Sequence, residues 1–499
     1  MSAVPSTPRV VLFRHAPIDI DSRVKKFATT LQRAGYEPVV ISLEPVGGIA
    51  GEYRLGGDIR VIRLPIVRAP REKADTTRVN NLEARRTMHR RRAVYRDRIT
   101  GANTASAKAL LKWATSTAKV VYLKTEDAVS DVTFRLQQAR DKRRGEKDPF
   151  VLAGVDRGLP VVTDIANTLT DLLVDLRPDV LHAHHPQVLL AARDALRILR
   201  EQGHAVKFYY DARENFAGIP DMEQGLRAAH EALIACEAAM IGEADAVSTV
   251  SEPIADVLRE NYALAARPSV FLNMPPLTPL AGPTTVREAA GLGPDVPVVL
   301  YSGTMSWARG IETIVRGIAH MPPEAHLVIV SVPLPHPMIP KLEALAAEHG
   351  LADRLHFVGP VSQDQLLHYL SGADVAVHPL PGGSPNHDAA MPNKLFEYLH
   401  AGLPLVVSDA KLMAAFVSDN GVGRVFTSED PVSFGEQVGA TLADLPSERV
   451  HEVAATYSWQ GQEGAIISLY NSLTGFDGHL PAEEVPFGSL EVTPAVPAH

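Results

Sequence analysis

The sequence predicts an α/β protein with two Rossmann-like domains. Three observations lead to this prediction. The chain has 499 residues, which is more than one hydrophobic core ordinarily supports. Short apolar runs rich in β-branched residues alternate with segments of helical spacing, as in parallel sheets covered by helices. These runs form two series, and the proline-rich segment 274–283 separates them.

The predicted strands divide the chain into two domains. In the first half they are 9–13, 38–43, 59–64, 179–183, 206–210, 246–250 and 269–272. In the second half they are 297–301, 326–330, 354–358, 374–378, 405–408 and 422–426. Because parallel strands are joined by right-handed crossovers, the segments between them are predicted to be helices. We therefore expect an N-terminal domain at 1–275 and a C-terminal domain at 284–445.

Two segments do not fit this alternation. Residues 475–499 contain prolines and acidic residues without an apolar period, so we expect a disordered tail. Residues 68–165 form a basic, helical insertion in the first domain that exceeds ordinary loop lengths. Its arginine cluster is Arg85, Arg86, Arg90, Arg91, Arg92, Arg96 and Arg98. The cluster is either an arm that docks on anionic lipid or an anionic acceptor, or a solvated helix face.

Composition narrows the class of protein. The net charge of −9 argues against general nucleic-acid binding. The single cysteine, Cys236, cannot form an intrachain disulfide, which fits a reducing compartment, and its apolar neighbours predict that it is buried. There is no signal-like apolar region and no run of the ~20 apolar residues that span a bilayer. We expect a cytoplasmic protein, with peripheral contact at the inner face of the membrane left open.

The most informative segment is 391–404, between two predicted strands. Pro392 suits the first turn of a helix, while Gly402 and Pro404 suit its end. The helix therefore begins at the carboxyl edge of a parallel sheet, where its amides and positive dipole end face a ligand crevice. Glu397, one turn in, can accept two hydrogen bonds from a vicinal diol such as a ribose. The pattern indicates a nucleotide-sugar site.

The run PNKLFEYLHAGLP in this segment resembles the donor-site signature of glycosyltransferase family 4, a group of retaining enzymes with the GT-B fold. Residues 300–303, 309–310 and 179–184 also fit the family. The resemblance covers roughly 9–66 and 160–470. It implies that the two domains face each other across a cleft.

The resemblance also implies that the segment 446–474 crosses back to the first domain. The family generally works without a bound metal, so no cofactor is expected, and the nucleotide sugar is a substrate.

By this resemblance, the C-terminal domain binds the donor. Arg309 is implied to neutralise the leaving diphosphate. Thr304 replaces the family's other basic residue, so we assign that role to Lys394, with a solvent-facing lysine as the alternative. Glu397 is implied to hold the ribose, and the amides around Ala389 to hold the sugar. The full donor set is Gly303, Arg309, Asp388, Ala389, Ala390, Met391, Asn393, Lys394 and Glu397.

The N-terminal domain is implied to bind the acceptor. His184 matches the family histidine that contacts the transferred sugar, and with Arg309 and Lys394 it completes the predicted catalytic set. Its neighbours His182 and His185 raise a metal site as an alternative; a buried core role is the alternative for His182. The predicted acceptor-side residues are Asp19, Asp21, Arg23, Asp211 and Glu214. Simple helix capping, with Ser22 as the cap, is the alternative for residues 19–23.

The sequence therefore predicts a retaining glycosyltransferase that moves a hexose to an acceptor hydroxyl, in glycan, cell-surface polysaccharide or glycoconjugate biosynthesis. The expected acceptor is a glycan, a lipid-linked or a small molecule. Two alternatives stay open. Because Ala389 and Thr304 depart from the family pattern, the chain can be a degenerate scaffold or binding subunit. A GT-B sugar-nucleotide epimerase would use the same nucleotide cleft without a second substrate.

Overall fold

The computed structural model describes residues 7–68, 92, 107, 110–122, 148–152, 155, 159–218, 227–444, 446–481 and 487–495. Within these residues the chain forms two sheets, and helices cover both faces of each sheet. Every strand that the sequence predicted is present, with bounds that shift by one or two residues. None of the described helices combines the length and apolar content needed to cross a membrane.

The first sheet has the strand order β15-β3-β4-β2-β1-β5-β6-β7-β8 in the described chain. Its strands are β1 (Arg9–Arg14), β2 (Glu37–Glu44), β3 (Gly51–Leu55), β4 (Ile59–Pro65), β5 (Val180–His184), β6 (Lys207–Asp211), β7 (Ala246–Thr249), β8 (Ser269–Val270) and β15 (Val492–Pro494). Most neighbours are parallel, whereas β3 pairs antiparallel with both β4 and β15. The sequence missed β3 and β15.

Among the described residues, the first domain contains the helices α1 (Ser22–Arg33), α2 (Pro149–Leu152), α3 (Pro160–Asp175), α4 (Leu189–Glu201), α5 (Arg227–Met240) and α6 (Glu252–Asn261), and residues 110–122 are also helical. The cap of α1 is Asp21, whose carboxylate accepts from the amides of Arg23 and Val24, and not Ser22 as predicted. Because Asp21 directly precedes the helix, its carboxylate can reach these two amides of the first turn.

The insertion is described only in part. Of its arginine cluster the structure describes Arg92, whose guanidinium lies 6.0 Å from the ring centroid of Trp113. The remaining arginines lie outside the described residues, so membrane contact stays a prediction. At the other end, Val162 and Ile165 on α3 are buried in the core of the first domain. Residues 160–165 of the predicted insertion are therefore part of α3, which packs in the core of the first domain.

The second sheet is wholly parallel, with the order β11-β10-β9-β12-β13-β14. Its strands are β9 (Val298–Gly303), β10 (His326–Ser331), β11 (Leu355–Val358), β12 (Val375–His378), β13 (Leu405–Ser408) and β14 (Gly423–Phe426). The helices around it are α7 (Val286–Ala289), α8 (Ile311–Gly317), α9 (Ile339–Glu348), α10 (Leu366–Leu370), α11 (Pro385–Asp388), α12 (Asn393–His400), α13 (Lys411–Asn420), α14 (Pro431–Ala443) and α15 (Ser447–Thr456).

The chain passes between the domains twice, and both passages meet at α1. The first passage is the linker after β8, where the buried ammonium of Lys26 donates to the carbonyl of Met274 at 2.5 Å. The second passage leads from α15 into α16 (Gln460–Thr474), which packs on the first domain. Trp459 lies at that passage, and its indole donates to Thr30 at 2.9 Å. The amide of Trp459 also donates to the carbonyl of Pro275, which ties one passage to the other.

The C-terminal tail is partly ordered. The prediction of a disordered tail over 475–499 is wrong for residues 487–495, because β15 pairs with β3 and two tail side chains enter the core. Phe487 is 1% exposed and Leu490 is 7% exposed, and both pack in the cluster that contains Phe27 of α1. The sequence pattern failed here because the few apolar residues that anchor the segment, Phe487, Leu490 and Val492, have no regular helical or strand period.

Phe487→Ala should destabilise the first domain by about 3–5 kcal/mol, because it removes a buried aromatic ring and leaves a cavity. The free energy of unfolding can be measured by urea titration. Thr493→Ala, on the exposed side of β15, is the matched control and should change stability by less than about 0.5 kcal/mol. Equal effects of the two changes would show that the tail does not pack as described.

Candidate functional site in the interdomain cleft

Helix α12 follows β12 and places two charged residues at the carboxyl edge of the second sheet. Pro392 is its N-cap residue, one position earlier than predicted, and Gly402 has the predicted left-handed conformation, with φ of +80°. The ammonium of Lys394 donates to Glu397 at 2.7 Å. The side chains of Lys394 and Glu397 are 28% and 15% exposed. Lys394 is therefore held against the site and does not simply face solvent.

The end of β9 lies against this helix. Gly303 has a φ of +149°, and a Cβ built on it would lie 3.7 Å from Cε of Lys394. The amide of Ser302 donates to the hydroxyl of Tyr398 on α12 at 2.8 Å. These contacts fix the glycine backbone beside the lysine.

Arg309 adds a second positive charge. It is exposed and precedes Gly310, whose φ is +71° and whose Cβ would lie 2.1 Å from the carbonyl oxygen of Pro379. Only glycine fits there. Burial lowers the pKa of His378 to about 3, and the charges of Arg309 and Lys394 contribute to the same shift. The two predicted phosphate-binding cations therefore converge on one region beside β12.

The loop before α12 is held by its own polar groups. Asp388 accepts from the amide of Gly383 at 3.1 Å and pairs with Lys411 at 3.3 Å, so this carboxylate stabilises the loop. The carbonyl of Ala389 accepts from the hydroxyl of Ser251, in the first domain, at 3.0 Å. Three further predicted donor residues follow: Ala390 and Met391 are half-buried against the core of the second domain, and Asn393 is exposed at the first turn of α12.

In the first domain, a buried carboxylate organises the site. Asp211, at the end of β6, accepts two hydrogen bonds from Arg23, each 2.8 Å long, and one from Ser248 at 2.7 Å. Its other neighbours are Arg213, at 3.2 Å, and His184, at 3.0 Å. The adjacent guanidinium of Arg23 holds the pKa of Asp211 well below its usual range, against the effect of burial.

Asp21 extends this network towards the cleft. It pairs with Arg14 and, at 2.7 Å, with Arg213. Arg14 and Arg213 are 12% and 17% exposed, so these two guanidiniums form the solvent-facing side of the network. Three arginines against two aspartates leave one net positive charge, counting Arg14, Arg23, Arg213, Asp21 and Asp211. The sequence did not identify Arg14, although its position at the carboxyl end of β1 was the available signal.

The five predicted acceptor-side residues fall into two groups. Asp21, Arg23 and Asp211 are buried in the network, so they position other groups and do not line an open surface. Asp19 is half-exposed and pairs with Arg63 at 2.7 Å, and Glu214 is exposed. The capping alternative is correct for Asp21, which also carries an ion pair.

His184 is fully buried beneath Arg213, which approaches its Nδ1 at 2.9 Å. Burial lowers the pKa of His184 to about 4, and the charge of Arg213 acts in the same direction, so the ring is neutral near pH 7. Nδ1 lies near both a guanidinium donor and the Asp211 carboxylate. Nε2 is buried without a hydrogen-bond partner among the described residues.

The metal alternative can be tested against this arrangement. Potential ligand atoms of His182, His184 and Asp211 lie within 4.8 Å of one another. However, Nδ1 of His182 already contacts the hydroxyl of Tyr470 at 2.6 Å, and Arg23 occupies both oxygens of Asp211. A further cation beside two guanidiniums would be strongly repelled. The positive charges around the group therefore disfavour a metal ion, and the absence of a metal stays a prediction.

Two mostly parallel α/β sheets, each in its own domain and with a cleft between them, are the architecture of the GT-B class. Residues 296–444 match the family described as "Glycosyl transferases group 1", and residues 20–274 match the "Glycosyl transferase 4-like domain". The chain belongs to this family, as the sequence motifs predicted.

Relatives and solved structures agree with this assignment. The chain is 27% identical over 198 residues to a D-inositol 3-phosphate glycosyltransferase of Xylanimonas cellulosilytica, covering 38% of this chain and 46% of that protein. A protein of the same name from Geodermatophilus obscurus is 25% identical over 63% of this chain and 69% of its own length. Thus the chain spans about half the length of the first of these relatives.

Solved structures show the same fold at low identity. Sucrose-phosphate synthase from Thermosynechococcus elongatus superposes with a TM-score of 0.61 at 16% identity, over 94% of this chain and 99% of that chain. HepE from Anabaena, in complex with UDP-glucose, gives a TM-score of 0.54 at 12% identity, over 93% and 100% of the chains. These likenesses confirm the predicted GT-B architecture.

Stability should fall as the pH is lowered from about 6.5 to about 4. The pKa values of His184 and His185 are lowered to about 4 in the folded protein, against about 6.5 when unfolded. In this window the unfolded chain binds more protons, so the free energy of unfolding decreases with falling pH. His184→Gln should reduce that slope by up to about 1.4 kcal/mol per pH unit.

Urea titrations at several pH values measure this slope. His479→Gln, at an exposed position, is the control and should leave the slope of the unmodified protein unchanged. A His184→Gln variant with the same slope as the unmodified protein would mean that His184 is not held neutral by burial.

Proposed function

We propose that this protein transfers a sugar, with retention of anomeric configuration, from a nucleotide diphosphate sugar to an acceptor hydroxyl. One observation carries the proposal. Helix α12 presents the Lys394–Glu397 pair beside the backbone of Gly303, and Arg309 converges on the same region. A diphosphate and a ribose are bound by this combination of cations, glycine backbone and carboxylate.

Lys394 and Arg309 would stabilise the leaving diphosphate. Charge develops on the phosphate oxygens as the bond to the sugar breaks, and fixed cations lower the energy of that state. Glu397 holds Lys394 in place at 2.7 Å and keeps oxygen atoms for the ribose hydroxyls. One carboxylate thus positions a catalytic cation and binds the nucleoside.

The first domain would bind the acceptor, and its carboxylates near His184 are not free to act as a covalent nucleophile. Asp21 and Asp211, the carboxylates nearest His184, are buried and ion-paired with arginines. We infer that the acceptor oxygen bonds to the anomeric carbon on the face that the diphosphate leaves. The carbon–oxygen bond to phosphate breaks, and the acceptor proton passes to an oxygen of the leaving diphosphate. Front-face attack of this kind retains the anomeric configuration.

The positive charge of the network around Asp21 favours an anionic acceptor. The network around Asp21 carries one net positive charge, and Arg14 and Arg213 are its solvent-facing members. Relatives named for D-inositol 3-phosphate support the same chemistry. We therefore propose a phosphorylated polyol, or another acceptor with a phosphate near the reacting hydroxyl.

The decisive experiment incubates the protein with UDP-, GDP-, ADP- and dTDP-sugars and with D-inositol 3-phosphate or its unphosphorylated form. We expect transfer from one donor, faster with the phosphorylated acceptor, and NMR should show the anomeric configuration of the donor in the product. An inverted product would overturn the mechanism. Nucleotide binding without transfer to any acceptor would favour a scaffold, and donor conversion without an acceptor would favour an epimerase.

Glu397→Ala should weaken donor binding by about 10- to 100-fold, because hydrogen bonds to a charged group contribute about 1.5–3 kcal/mol. Titration calorimetry with the preferred nucleoside diphosphate measures this change. Glu436→Ala, which removes an exposed glutamate on α14, is the matched control and should bind like the unmodified protein. Unchanged affinity in Glu397→Ala would exclude the ribose-binding role.

A further inference from the structure

A cavity of about 240 Å³ lies at the junction of the two domains, next to Glu397. Its lining combines five parts of the chain: α1, the interdomain linker, the segment that begins α10, Glu397 on α12, and the C-terminal tail. The residues are Ser22, Lys26, Asn273, Pro275, Pro276, Thr278, Pro279, Gln363, Asp364, Leu366, Leu367, Glu397, Gly488, Ser489 and Leu490. Proline and leucine surfaces form apolar walls, and amide, carboxylate and hydroxyl groups lie among them.

The tail wall of this cavity is firmly anchored. Leu490, at one end, is buried in the core of the first domain, and Phe487 just before the wall packs beneath the guanidinium of Arg33 at 5.5 Å. Beyond the wall, the carbonyl of Glu491 accepts from the amide of Gly56 at 3.1 Å, and β15 follows. Residues 488–490 are therefore a fixed part of the site.

The same segment reaches the second domain. The hydroxyl of Ser489 donates to the carboxylate of Asp364 at 3.4 Å, across the cavity mouth. Asp364 lies next to α10, on the wall that belongs to the second sheet. The tail thus contacts the domain to which the donor would bind, just before it joins the edge of the first sheet.

The position of the cavity identifies the part of the donor that it would hold. Glu397 is on its lining, whereas Gly303, Arg309 and Lys394, which would hold the diphosphate, are not. The cavity is smaller than the roughly 300–1,000 Å³ of sites that enclose a whole drug-sized ligand. Flat apolar walls with a few polar groups suit an aromatic base. Beyond a ribose held by Glu397, the next part of a nucleotide is its base.

We propose that residues 488–490 of the C-terminal tail form one wall of the nucleoside pocket and help to select the base of the donor. This inference rests on the proposed function, since it assumes that Glu397 holds a ribose. Ser489 and Asp364 are its specificity-determining residues. Their hydroxyl and carboxylate face the space that the edge of the base would occupy.

Ser489→Trp fills the tail side of the cavity and tests this proposal in the full-length protein. We expect at least a tenfold loss of affinity for the preferred nucleoside diphosphate among UDP, GDP, ADP and dTDP, and a changed ranking of the four. Inorganic pyrophosphate, which reaches only the phosphate side, should bind equally well to the variant and the unmodified protein. Titration calorimetry gives all these dissociation constants.

Thr493→Trp is the matched control, because it adds the same side chain at an exposed position of β15. Its nucleotide affinities should equal those of the unmodified protein. If Ser489→Trp also keeps all four affinities and their ranking, the tail is not part of the pocket and only this inference fails. If none of the four nucleotides binds the unmodified protein, the proposed donor class fails, and the inference fails with it.

Discussion

The buried ion pair between Asp211 and Arg23 is the constraint on which the first domain depends. Both side chains are almost completely removed from water, and each would be costly to bury alone. The pair joins β6 to α1, while Ser248 and Arg213 bring in β7 and the loop after β6. Because burial forces these groups to satisfy one another, the network holds the edge of the sheet in one arrangement. The guanidiniums of Arg14 and Arg213 can then face the cleft while the carboxylates beneath them keep fixed positions.

The sequence predicted the local structure around α12 better than the contacts of the network around Asp211. Helix α12 could be predicted because Pro392, Gly402 and the flanking strands are local signals, and the Lys394–Glu397 pair lies within one turn. The network around Asp211 could not, since Arg23 is 188 positions away in the chain. Pairings of that separation leave no local pattern. The strands β3 and β15 were missed because they are short and only one of their residues is buried.

The junction of the domains is built from the same helix that carries part of the site. Lys26 donates to the linker at Met274 and lies 4.8 Å from the ring of Trp459, where the chain returns to the first domain. Three residues earlier on α1, Arg23 binds Asp211. A rotation of one domain against the other would move the two passages, and both of them contact Lys26 on α1. The geometry of the junction and the order of the charged network are therefore coupled through one rigid element.

The placement of β15 has a consequence for biosynthesis. The first sheet contains strands from the first residues of the chain and a strand from the last ones, and α16 completes one of its cores. Domains ordinarily fold as they leave the ribosome, the N-terminal one first. Here the last strand of the second sheet, β14, is synthesised before β15, which completes the first sheet. Until β15 has been synthesised, the nascent first domain has an open edge at β3 and uncovered apolar surface, and such surfaces favour non-native association.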